Sequence, residues 1–171
     1  IGAVSFQNNT AEDLGGAMHL SSNSDLEATD MVVINNSANR GGGISILNSV
    51  GDFVGGEINN NYAWRGGGIF SNGSDLDFFS ITLTQNNSED IGGGLLSIST
   101  NLVMDSTNVT FNSSDSSSGG GIMCINYDST ATYEVVITNS LISRNNANDS
   151  GAGLYFRTAF DESSGMDILI E

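Results

Sequence analysis

The chain has 171 residues, 20 Asp+Glu against four Lys+Arg, and a net charge of −16. Such a surface repels nucleic acid, anionic membranes and acidic polysaccharides, which are bound through Lys and Arg. With no Pro and a single Cys, no internal disulfide can form, and packing must hold the fold.

The first segment, Ile1-Gly2-Ala3-Val4-Ser5-Phe6, reads as a strand and leads to Asn9 and then Gly15-Gly16-Ala17-Met18. The succession returns as Asn36 before Gly41-Gly42-Gly43-Ile44, Asn61 before Gly66-Gly67-Gly68-Ile69, and Asn87 before Gly92-Gly93-Gly94-Leu95. It closes with Asn112 before Gly119-Gly120-Gly121-Ile122 and Asn145 before Gly151-Ala152-Gly153-Leu154. The first glycines lie 26, 25, 26, 27 and 32 residues apart. An apolar residue commonly precedes the Asn by three, as Phe6, Val33, Ile58, Val109 and Ile142 do.

A period near 26 fits a leucine-rich repeat or a β-solenoid coil. Leu is sparse, and Gly, Asn, Ser, Thr and Asp are poor helix formers. Each period holds two short β-rich runs separated by polar turn clusters. The sequence therefore predicts an all-β fold, a parallel β-helix (β-solenoid) of six to seven coils of roughly 26 residues, with residues 1–171 forming one uncapped unit. Coils stack about 4.8 Å apart. At that spacing Asn9, Asn36, Asn61, Asn87, Asn112 and Asn145 are expected to pass hydrogen bonds along an interior ladder. Alternation after each glycine run puts Met18, Ile44, Leu95, Ile122 and Leu154 inward, and makes Cys124 a core residue.

The apolar-x-x-Asn element paired with Gly-Gly-Ala/Gly-apolar, seen most fully in Phe6-Gln7-Asn8-Asn9 and Gly15-Gly16-Ala17-Met18, resembles the polymorphic outer membrane protein (Pmp) repeat. The resemblance covers most of the chain as six degenerate copies. It implies a right-handed parallel β-helix displayed outside the cell or on its surface, often in adhesion.

β-Helices also include polysaccharide-active enzymes, so candidate chemistry needs weighing. Arg40 and Arg65 precede successive glycine runs and read as solvated corner residues, with Asp90 as a partner. Asp25 with Glu27, and Asp75 with Asp77, sit in turn-like stretches where Asp bonds nearby backbone. His19 is the single histidine and makes no zinc site. Trp64 reads as a packed corner, Thr82 and Thr84 form no recurring ladder, and the glycine runs lack the Lys-Ser/Thr of a phosphate loop. No catalytic, cofactor or metal site is assigned, and the chain is read as a non-enzyme.

Two surface columns remain. Phe70, Leu96, Met123 and Tyr155 are large apolar residues at outward positions, an expected interface. Asp25, Asp52, Asp75, Asp128 and Asp161 lie about ten residues past their glycine runs and are expected to stack. Solvated turn carboxylates are the simpler reading of them, with a loosely held divalent cation as the alternative. Glycosylation candidates are Asn8, Asn35, Asn72, Asn86, Asn108 and Asn148, while the sequon at Asn112 coincides with the ladder.

The last segment, Met166–Glu171, reads as a strand whose joining to Ile1–Phe6 restores one coil. Ile1, Val4, Phe6, Ile168 and Ile170 are thus axial junction candidates. The expected function is an extracellular structural solenoid, glycosylated through N-linked glycans, that stacks with copies of itself into a filament. It inserts in no membrane and binds no nucleic acid. A surface adhesin of the Pmp type and a polysaccharide-active fragment are the alternatives.

Overall fold

A computed structural model describes residues 1–158 and 165–171. Among them are 21 strands and no helix, and every strand pair is parallel. The chain is a β-solenoid in which each coil contributes to four walls. The first wall follows the glycine runs and stacks Met18–Ser21, Ile44–Leu47, Ile69–Asn72, Leu95–Ile98, Ile122–Asn126 and Leu154–Thr158. The second wall holds Asp75–Phe79, Asn101–Asp105, Tyr133–Thr138 and Met166–Ile170; the third holds Ser5–Gln7, Thr82–Thr84, Asn108–Thr110 and Leu141–Ser143. Two long strands, Asp25–Ile34 and Val50–Asn59, run through both and join them into one sheet. The fourth wall is narrow: Ser37–Arg40, Tyr62–Arg65, Asn87–Ile91, Ser113–Ser114 and Asn146–Ala147.

The six layers of the first wall are joined by five complete turns. The expected six to seven coils counted glycine runs and end strands, which number layers and not turns.

Four corners per coil are made by residues of positive φ. Before each Asn-ladder position stand Asn8, Asn35, Asn60, Gln85, Phe111 and Arg144; at the glycine corner stand Gly15, Gly41, Gly66, Gly92, Gly119 and Gly151. The remaining two corners use Asn23, Asn48, Gly73 and Ser99, and Asp30, Gly55, Ser80, Ser106 and Asn139. Gly and Asn dominate these lists because they tolerate the left-handed region. Gly41 illustrates the constraint: a Cβ there would fall on the carbonyl of Ile44. Gly42 has a different reason, since its Cβ would fall on the Tyr62 and Gly67 carbonyls of the next coil. Phe111, at φ 58°, is one of the costly exceptions, at about 1–3 kcal/mol of backbone strain. Its exposed ring is covered by the Arg144 guanidinium at 5.3 Å, which occupies the same corner one coil on.

The core is filled by columns in exact one-coil register, such as Ile44, Ile69, Leu95 and Ile122, all buried. Phe53 and Phe78 stack at 5.1 Å in the second wall. Ser97, Cys124 and Phe156 share a first-wall column, and burial pushes the Cys124 thiol up to about 12.

The polar spine of the core is a carboxamide column of Asn9, Asn36, Asn61, Asn86, Asn112 and Asn145. Asn61 shows the pattern. Its backbone N–H and Nδ2 both donate to Asn86 Oδ1, at 3.0 and 2.9 Å, and Nδ2 also donates to the Val33 carbonyl at 2.9 Å. Its own Oδ1 accepts two bonds from Asn36. All the bonding capacity of a buried primary amide is used, as burial requires. Asn87, expected in this column, lies outside it: it is half-buried and donates to Asp115 on the outer surface. The reason is alternation, since Leu83 occupies the wall column of Ile58 and Val109 and the ladder residue lies three after it.

A second, hydroxyl column was not read from the sequence. The backbone N–H groups of Ser24, Ser49 and Ser74 donate in turn to Ser49 Oγ, Ser74 Oγ and Thr100 Oγ1, at 3.2, 3.3 and 3.4 Å.

Asn61→Ala removes four side-chain bonds and orphans buried groups on both neighbouring coils, each worth about 1–3 kcal/mol. Chemical denaturation should show a loss of several kcal/mol for it and less than about 1 kcal/mol for Asn87→Ala. Equal effects would contradict the ladder assignment.

Candidate functional site

The apolar stripe expected at the surface is buried. Phe70, Leu96 and Met123 are 3%, 0% and 4% exposed. With Ile125 they form a second small core outside the first wall, into which Leu47, Ile91, Ile98 and Tyr155 pack. Alternation does turn these side chains away from the main core. The glycine corner then folds back over them: Cβ atoms added at Gly92, Gly119 and Gly151 would collide with Leu96, Met123 and Tyr155. Arg40 completes the cover, its guanidinium 5.7 Å from the Phe70 ring centre. Phe70, Leu96 and Met123 therefore offer no free interface, and Tyr155 is half-buried against them.

The acidic column is divided by the register. Asp25 and Asp75 align through Val50, whereas Asp52 aligns with Glu27 and Asp77. Asp128 lies in a turn, where it accepts from Thr130 and Tyr133, and these bonds hold its carboxyl below the usual range. Asp161 lies outside the described residues. The true stack is Glu27, Asp52 and Asp77 on three successive coils. Burial, then the neighbouring Asp52 and Asp75 carboxylates, raise the Asp77 pKa. Among the described residues no group of three His, Cys, Asp or Glu side chains converges as a metal site.

Arg40 and Arg65 stack in register on the fourth wall and are ion-paired, Arg40 to Asp13 at 2.9 Å and Arg65 to Asp90 at 2.8 Å. His19 is exposed, and so is Trp64, which does not pack into its corner.

Of the sequon asparagines, Asn8, Asn35, Asn72, Asn108 and Asn148 are exposed. Asn86 is fully buried in the ladder, as is Asn112, so the expectation of a glycan on Asn86 is withdrawn. The apolar-x-x-Asn spacing, applied to Leu83, distinguishes Asn86 from Asn87 and carried the needed signal.

The end coils expose interior columns. Ile168 and Ile170 continue the columns of buried Val135 and Ile137, yet are 44% and 54% exposed. At the opposite end Ile1 and Val4 are exposed, and Phe6 is half-buried against the core. Ile1 donates to the Glu27 carbonyl and accepts from Thr29 N–H, which places it beneath Ala28. Ala28 belongs to the column of Phe53, Phe78, Met104, Ile137 and Ile170. Ile1 and Ile170 thus hold equivalent positions, and joining Glu171 directly to Ile1 does not simply restore a coil. The edges themselves match wall by wall: Leu141–Ser143 corresponds to Ser5–Gln7, Leu154–Thr158 to Met18–Ser21, and Met166–Ile170 to the 24–28 stretch.

Comparison with protein-family models, curated protein sequences and solved structures found no match to this chain.

Proposed function

We propose that this chain is an extracellular, non-catalytic structural solenoid that elongates along its axis, copy upon copy. The observation that carries the reading is the unbroken parallel register of the first wall, in which one layer follows another and extends the apolar columns by simple repetition. An open parallel edge presents unpaired N–H and C=O groups beside apolar side chains, and such edges template further pairing. Top-to-bottom contact is heterologous and generates filaments when it does not close. With six layers in the first wall, the axial repeat would be about 29 Å. The second-wall strand Met166–Ile170 of one copy would pair beneath the 24–28 stretch of the next, displacing Ile1.

Charge opposes this association. A net charge of −16 repels like copies until salt screens it. Sedimentation of the purified chain should show mass growing with concentration, and growing further as ionic strength rises from about 0.02 to about 0.5 M. Ile168→Lys with Ile170→Lys should leave a folded monomer. A wild-type chain that stays monomeric at every salt and concentration, or one whose assembly ignores the double substitution, contradicts the reading.

An adhesin of the Pmp type is the second reading. In its favour, both fixed positions of the Phe6-Gln7-Asn8-Asn9 motif have structural roles, Phe6 against the core and Asn9 in the ladder. Both readings place the chain outside the cell, with N-linked glycans on the exposed sequons. Glycopeptide mass spectrometry of native material should find Asn35 modified and Asn86 and Asn112 bare. A glycan on Asn86 would contradict its place in the core.

A further inference from the structure

The fourth wall carries a feature that axial assembly does not use. The strand Tyr62–Arg65 turns Ala63 into the core and Tyr62 and Trp64 outward, 43% and 47% exposed. Trp64 stands between two shallow clefts. On one side, Arg40 and Arg65 line a cleft of about 350 Å³, and each guanidinium is already tied to an Asp. On the other, a cleft of about 440 Å³ is lined by Trp64, Tyr62, Glu12 and Glu89, and by no cationic residue. The Tyr62 hydroxyl donates to the Glu89 carboxylate, which fixes the phenol ring at the cleft and pushes its pKa up to about 12.

Aromatic faces are negative, and they attract an ammonium or guanidinium within about 6 Å. Two carboxylates beside two such faces add Coulomb attraction of the same sense. The four basic residues of the chain are all Arg, so a second copy of these 171 residues brings no lysine to this cleft. The field of an acidic surface steers cationic partners towards it.

We infer that the Trp64–Tyr62–Glu12–Glu89 cleft is a docking site for a lysine side chain presented by a basic partner protein. The aromatic faces hold the alkyl stem and ammonium, and Glu12 and the free oxygen of Glu89 take its donors.

Trp64 is the single tryptophan, so its fluorescence reports on this cleft directly. Titration of the full chain with pentalysine should change Trp64 emission saturably, and the affinity should fall as salt rises. Glu12→Gln with Glu89→Gln should weaken binding about tenfold or more, since cation–π and charge contributions combine there. Asp75→Asn with Asp77→Asn removes the same charge from another wall and should weaken it by less than about threefold, the part due to the general field. Equal weakening by the two pairs overturns the proposal in favour of non-specific attraction. Saturation by a neutral oligosaccharide but not by pentalysine overturns it in favour of a sugar platform, saturation by choline alone in favour of a lipid headgroup, and no saturable response overturns it outright.

Discussion

A primary amide buried in an apolar core needs all its hydrogen-bonding capacity met, and in this fold the identical amide one coil away meets it together with a wall carbonyl and a backbone N–H. Asn36, Asn61, Asn86 and Asn112 satisfy one another in sequence, each also reaching back to a wall carbonyl of the preceding coil. A slip of one residue would break every member of the column at once and also turn the wall side chains inside out. The carboxamides therefore fix the register in which the apolar columns stack. The positive-φ residue just before each of them, from Asn8 to Arg144, supplies the bend that aims it inward.

This dependence explains which features were legible in the sequence. The glycine runs could be read because they answer two separate demands, a left-handed corner at Gly41 and close passage of the next coil at Gly42, that no other residue type meets. The fold class and the register of the first wall followed from that spacing. Asn87 was misplaced because adjacent asparagines, Asn86 and Asn87, differ only in which one alternation turns inward, and Leu83 decides that. The hydroxyl column of Ser49, Ser74 and Thr100 left little trace, because Ser and Thr are common in this chain and the bonds are made to backbone.

Surface features were harder to read, for a geometric reason. Alternation tells whether a side chain leaves the main core, and it does not tell what lies over it. Phe70, Leu96 and Met123 leave the core and are covered again by the corner glycines. Tyr62 and Trp64 leave it on a narrow wall and remain exposed. The acidic residues likewise follow strand register and not their distance from the glycine run, so Asp52 stacks on Glu27 and Asp77.

The central claim, that one interior carboxamide per coil sets the register, can be read without any substitution. Hydrogen exchange of side-chain amide protons, followed by nuclear magnetic resonance, separates ladder members from surface asparagines. Protons bonded within the column should exchange only through large-scale opening, on the slow scale of the most protected backbone amides. The account predicts that protection for Asn61, Asn86 and Asn112, with Asn87, half-buried and bonded to Asp115 outside the column, exchanging much faster. Rapid exchange at Asn86, or protection at Asn87 in its place, would contradict it.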